Sequence, residues 1–338
     1  MAAARTGRTT TGLFSFKLPG STQEPHGSWL KFRGPRKPTP RAIHARVFIA
    51  GTGRSGTTRL AQVLGSHPQV FAWPFETRFL IDPDGLQDLL HWLHEQFDYF
   101  HANAAIHRFR ELMYCSILKP MLQVLPESQY REAVDEFLHQ LTACTFEETA
   151  GKRLFLRYVA RCFEDRAELI ALMRRLVDRL FSQAAWQAGK TVWCEKTPFN
   201  LLAIPFLWEL FPEAKIIHIK RDPRGVVESL LRQPWAPSDL EGVLAFIEPV
   251  YRRWVQLKQQ HAVEQNPQYR EIALEEVARN PQAALDEMTQ WLGIEPADWS
   301  GTFDLRQVNR WQTQLSDSDR RRCEQRLGRY IEAMGYPV

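Results

Sequence analysis

The stretch Val47-Phe48-Ile49-Ala50-Gly51-Thr52-Gly53-Arg54-Ser55-Gly56-Thr57-Thr58 constrains what this chain can fold into more than any other. Residues 47–50 are a short apolar run suited to a buried parallel strand, and the glycines at 51, 53 and 56 let the backbone turn sharply and approach a ligand closely. A helix is predicted over residues 57–64. Strand, glycine loop and helix start in that order make an anion site, because the loop amides and the helix N-terminus point at one place with the positive end of the helix dipole behind them.

The phosphate loop of nucleotide triphosphatases, G-x-x-x-x-G-K-[ST], is matched at Gly51, Gly56 and Thr58 but has Thr57 in place of the lysine. Without that lysine the usual contact to the β- and γ-phosphates is missing, which disfavours ATP or GTP hydrolysis while leaving an anion site. Arg54, inside the loop, offers a replacement charge.

Gly53-Arg54-Ser55-Gly56-Thr57-Thr58 resembles the 5'-phosphosulfate loop of sulfotransferases, which use 3'-phosphoadenosine 5'-phosphosulfate (PAPS). The resemblance runs with gaps from about residue 47 to the C-terminus, and it implies roles for further residues. Glu76, in the loop after the strand predicted at 70–72, matches the glutamate base of tyrosine- and heparan-type enzymes. Lys196 follows the strand predicted at 191–194 and matches a lysine that contacts the bridging oxygen of the donor. Arg221 ends the strand predicted at 215–219, and Ser229 lies eight positions on; that pair is expected to hold the donor's 3'-phosphate. Asn309-Arg310-Trp311 is similar to the loop that closes over the nucleotide, with Arg310 reaching the 3'-phosphate. Leu274 stands where the family often has a tyrosine for the nucleotide, so that contact is not expected. Arg224 and Arg232 are read as solvent or salt-bridge residues.

The chain has 43 Lys and Arg against 39 Asp and Glu, a net charge of +4. The excess sits before residue 45, where Arg5, Arg8, Lys17, Lys31, Arg33, Arg36, Lys37 and Arg41 face only Glu24. The remainder is slightly acidic, which argues against a nucleic-acid-binding body. Residues 1–45 read as a flexible basic arm without the apolar run of a signal peptide or anchor. Many animal sulfotransferases of this motif type begin with a Golgi anchor, so a cytoplasmic enzyme is expected. The longest apolar segment, residues 201–208, is far short of a membrane span. Five scattered cysteines read as reduced, buried thiols, and no metal-site spacing is present, so no metal is expected.

Helical periodicity is expected over residues 82–100, 104–118, 130–144 and 167–188, an insertion at about 86–190 that the resemblance places over the acceptor cleft. Its histidines, His91, His94, His101 and His107, read as solvated or capping rather than as a base. Further helices are expected at 241–264 and 275–292, a strand at 271–274, and a final helix capped by Ser316 or Asp317.

The expected fold is α/β, a P-loop-like, mainly parallel sheet with helices on both faces, forming one domain over residues 46–338. The resemblance implies transfer of a sulfuryl group to the hydroxyl of a small molecule, sugar or tyrosine, with Glu76, Lys196 and Arg54 at the reacting end. An atypical P-loop kinase and a non-catalytic nucleotide-binding adaptor are the alternatives.

Overall fold

The structure, a computed structural model, describes residues 42–145, 158–299 and 303–338. The basic arm at 1–45 therefore lies almost wholly outside the described residues. Strands β1 (Ala45–Ala50), β2 (Val70–Ala72), β5 (Val192–Lys196), β6 (Lys215–Lys220) and β7 (Tyr269–Ala273) form one sheet, with β3 (Thr142–Thr145) and β4 (Tyr158–Ala160) apart from it. The large sheet has the order β2-β5-β1-β6-β7, and every pairing in it is parallel.

Parallel strands covered on both faces read as continuous apolar runs. In β1, Phe48 and Ala50 enter one core while Val47 and Ile49 enter the other. Phe48 meets Trp193 of β5 edge-on at 5.2 Å between ring centroids, and Trp193 meets Phe181 of the helix Arg166–Gln187 at 5.1 Å. The second core is lined by the helices Thr57–Gly65 and Pro281–Leu292. β1 is central, with β5 on one side and β6 on the other, so the chain departs from it in both directions. The crevice at the C-terminal ends of β5, β1 and β6 is where an open parallel sheet binds ligands.

Several helix boundaries differ from expectation for local reasons. Instead of one helix over 82–100, Asp84 takes a positive φ of 67° and a helix starts only at Leu86. The chain passes through a π turn, His91–Glu95, and Asp98 then caps a new helix, Tyr99–Glu111, by accepting from the amides of Phe100 and His101. The helix expected at 130–144 is Glu127–Gln140, and Cys144 lies in β3, an antiparallel hairpin strand the periodicity did not reveal. The helix expected at 275–292 is two, Leu274–Arg279 and Pro281–Leu292, because a proline at 281 starts a helix more readily than it continues one. Ser316 caps the final helix, Asp317–Ala333, as expected. Cys194 and Cys323 are buried free thiols, but Cys115 and Cys162 are exposed, which corrects the expectation of buried cysteines. Among the described residues no helix is long and apolar enough to cross a membrane.

Candidate functional site

β1 ends at Ala50, and the Gly51 amide donates to the Pro198 carbonyl at 2.8 Å. A Cβ on Gly51 would lie 2.3 Å from Ser55 Oγ and 2.9 Å from the Ile219 carbonyl oxygen, so only glycine allows the loop to fold back this tightly. Gly53, Arg54 and Gly56 then take positive φ values of 78°, 55° and 98°. Left-handed residues in such a loop allow its amides to face an anion, here ahead of the helix Thr57–Gly65. Ser55 is buried beneath the loop, and its Oγ has no hydrogen-bond partner among the described residues.

The second half of the site comes from the end of β6. Asp222 caps the helix Pro223–Leu230 by accepting from the Arg224 amide at 2.8 Å, which fixes Ser229 two turns along. Arg54 Nε donates to Ser229 Oγ at 3.1 Å, joining the glycine loop to this helix across 175 positions of sequence. Arg221 donates to the carbonyls of Val308 at 2.6 Å and Arg54 at 3.2 Å, while its Nε is buried without a partner among the described residues. Burial pulls the pKa of Arg221 below the usual arginine value, against the opposing pull of Glu275 and Glu228. A cation desolvated in this way is suited to a bound anion.

Arg54, Arg221, Arg310, Thr57, Thr58 and Ser229 line one cleft of about 640 Å³, together with Arg59 and Arg232. Arg232 and Arg310 both pair with the buried carboxylate of Glu228, at 2.8 and 3.2 Å. Trp311 is not part of the lining: it is buried, with the Arg224 guanidinium 4.4 Å above its ring and Gly225 packed on its edge. Arg224 is the expected salt-bridge residue, held by Asp222 and Glu324.

Next to the loop, Lys196 ends β5 in register with Ile49 of β1. Its Nζ donates to Glu76 Oε1 at 2.8 Å, the lysine side chain 9% exposed and the glutamate 41%. Arg78 does not compete for Glu76, because it pairs with Asp82 at 2.6 Å. The neighbouring Glu195 is fully buried. Burial pushes its carboxyl above the ordinary range, and hydrogen bonds from Asn200, Thr197 and Thr77 pull the other way. The insertion's histidines are engaged locally: His91 with Glu95, His101 with Asp98, and His94 with the Phe163 carbonyl.

The sequence profile of the sulfotransferase family matches residues 46–300, which takes in the glycine loop, Glu76, Lys196, Arg221 and Ser229. The chain belongs to the sulfotransferase family. The fold agrees: the sulfotransferase domain of the Synechococcus PCC 7002 olefin synthase superposes with a TM-score of 0.51, at 18% identity, over 90% of this chain and 98% of that domain. The nodulation protein NoeE of Sinorhizobium fredii is 25% identical over 183 residues, covering 54% of this chain and 30% of that protein.

In this sulfotransferase, sequence reading missed the parts that depend on distant partners. Arg232 is the expected salt-bridge residue, held by Glu228 just past the end of the helix Pro223–Leu230, and what the sequence did not show is that it also lines the cleft. Arg59 carried no motif, and its place in the lining follows only from the direction of the helix Thr57–Gly65.

Proposed function

We propose that this sulfotransferase takes the sulfuryl group from PAPS and passes it to an acceptor hydroxyl, releasing 3'-phosphoadenosine 5'-phosphate. The observation that carries this reading is the meeting of Arg54, Arg221 and Ser229 in one cationic cleft at the strand ends, beside the Glu76–Lys196 pair. Such a cleft suits a nucleotide with phosphate at two positions. The glycine-loop amides and Arg54 would hold the 5' end, and Arg221, Ser229 and Arg310 the 3'-phosphate.

In the transfer a bond forms from the acceptor oxygen to sulfur as the bond from sulfur to the bridging oxygen breaks. Glu76 takes the hydroxyl proton. The electron pair of the broken bond stays on the departing 5'-phosphate, where Lys196, Arg54 and the loop amides offset the charge. The acceptor is a hydroxyl compound bound on the side of the helical insertion, and incubation of sulfur-35-labelled PAPS with phenols, alcohols, sugars and tyrosine peptides would identify it.

Donor identity is tested without the acceptor. A ligand that binds only the folded chain at about 100 times its dissociation constant adds roughly 2.7 kcal/mol of stability. 3'-Phosphoadenosine 5'-phosphate is expected to raise the melting temperature clearly, and AMP, ATP and GTP much less, since only the first supplies a 3'-phosphate to Arg221 and Ser229. A larger, magnesium-dependent shift with ATP would overturn the reading in favour of a kinase.

A further inference from the structure

Two consecutive residues after β2 face two consecutive residues at the end of β5. Glu76 accepts from Lys196 at 2.8 Å, and Thr77 Oγ1 donates to Glu195 Oε1 at 3.0 Å, so the segment and the strand end are joined by two side-chain rungs. The backbone enters this ladder in register, with the Trp73 amide donating to the Cys194 carbonyl at 2.9 Å.

The second rung belongs to a larger network. Glu195 Oε1 also accepts from Thr197 Oγ1 at 2.7 Å, and Oε2 accepts from Asn200 Nδ2 at 2.7 Å. The same Asn200 amide donates to the carbonyl of Ile49 at 3.2 Å, and the Pro198 carbonyl accepts from Gly51. A single carboxyl, 0% exposed, thus connects the segment carrying Glu76, the strand end carrying Lys196 and the start of the phosphate loop. A carboxyl withdrawn from water is costly to keep unless its hydrogen bonds are made, and here they come from Thr77 after β2 and from Thr197 and Asn200 just past the end of β5.

We infer that Glu195 is the positioning residue of this active site, holding Glu76 against Lys196 and setting both against the glycine loop through Thr77, Thr197 and Asn200. The inference rests on the sulfuryl-transfer reading, in which Glu76 and Lys196 act on the two ends of the reacting group. Glu195 touches neither. It acts by removing freedom from the segment after β2, whose Glu76 side chain is otherwise partly exposed. Misplacement of a reacting group by even about 1 Å lowers rates steeply.

Removing Glu195 itself risks unfolding, so the test uses its partner. Thr77→Val keeps the side-chain shape and deletes one donor, and Thr77→Ser keeps the hydroxyl. In the full chain, Thr77→Val is expected to lower kcat about 10- to 100-fold while leaving the Kd for 3'-phosphoadenosine 5'-phosphate within about twofold, and Thr77→Ser is expected to recover most of the loss. A second readout needs no turnover: acetylation of Lys196 by acetic anhydride, followed by peptide mass spectrometry, should quicken severalfold in Thr77→Val and not in Thr77→Ser. An unchanged kcat in Thr77→Val, or a parallel loss of kcat and nucleotide affinity, would overturn the positioning role while leaving the transfer reading intact. If the wild type binds no 3'-phosphoadenosine 5'-phosphate but Lys196 acetylation still responds as expected, the positioning holds and the functional reading falls instead.

Discussion

Lys196 Nζ lies 2.8 Å from Glu76 Oε1, so the two side chains assigned to opposite ends of the reacting group are paired with each other in this structure. The pairing gives each a holding partner. A donor whose bridging oxygen draws Lys196 toward it would free the Glu76 oxygen to accept a proton, coupling readiness of the base to arrival of the donor.

Glu76→Gln keeps an oxygen for Lys196 but removes the basic carboxylate. Turnover is expected to fall by about two to four orders of magnitude, with the Kd for 3'-phosphoadenosine 5'-phosphate nearly unchanged. Calorimetry and steady-state rates on the same preparation check both halves. Near-normal turnover would remove Glu76 from the mechanism.

On the proposed reading Lys196 serves the reacting end and Arg221 the distant 3'-phosphate, so the two should separate kinetically. Lys196→Ala is expected to lower kcat chiefly. Arg221→Ala is expected to weaken nucleotide binding by about 1.5 to 3 kcal/mol, the worth of a lost charged hydrogen bond. The reverse pattern would mean that the donor lies the other way along the sheet edge.

At Gly56 the backbone φ is 98° and an added Cβ would sit 2.7 Å from Leu274 Cδ1. Gly56→Ala therefore meets two separate obstacles, backbone strain of about 1 to 3 kcal/mol and a collision. Pairing it with Leu274→Ala removes the collision alone. The double variant is expected to regain part of the stability lost in Gly56→Ala but not its nucleotide affinity, as read by melting temperature and calorimetry. Full recovery of affinity would show that the loop tolerates a different conformation.

The donor half of the site was readable because its chemistry is local. Gly53 to Thr58 form one loop, Arg221 and Ser229 lie on one strand-to-helix unit, and Lys196 ends a strand, so their positions could be read from neighbouring sequence, while the roles proposed for them came from the resemblance to sulfotransferases. The Glu195 network was not readable, because Thr197 and Asn200 are near in sequence but Thr77 meets the same carboxyl only through the pairing of β2 with β5. The same limit explains Glu228, whose place between Arg232 and Arg310 depends on a segment some 80 residues later. Helix periodicity over 82–100 misled for a different reason: Leu86, Leu89, Leu90 and Leu93 keep their core face through the π turn, so the apolar pattern continues where the α-helix does not.

The remaining prediction concerns acid stability and a buried cluster away from the cleft. His218 of β6 is 0% exposed, with Nδ1 2.8 Å from the Tyr269 hydroxyl and 3.0 Å from Glu271 Oε2, and its ring is edge-on to Trp254 at 4.9 Å. Burial holds its pKa below the ordinary 6.5, although Glu271 pulls upward; Lys220 and Lys258 add to the lowering. The neutral ring is thus the folded form. Its contribution to stability is complete above pH 6.5, where the unfolded chain is also neutral, and is lost as pH falls from 6.5 toward the lower folded value. Burial alone would raise Glu271, but hydrogen bonds from His218 and Lys220, with the Lys220 charge and, once the ring is protonated in acid, that of His218, bring it down to about 2 from 4.5. Its contribution is therefore present above pH 4.5 and lost only as pH falls from there toward 2, below the upper part of the histidine's window. Urea unfolding of the wild type should show stability declining over the interval that opens as pH falls below about 6.5, by at most about 1.4 kcal/mol per pH unit for this one proton. His218→Gln should be less stable at neutral pH yet show a flatter profile across that interval. Parallel profiles for the two proteins would remove His218 as the source of the decline.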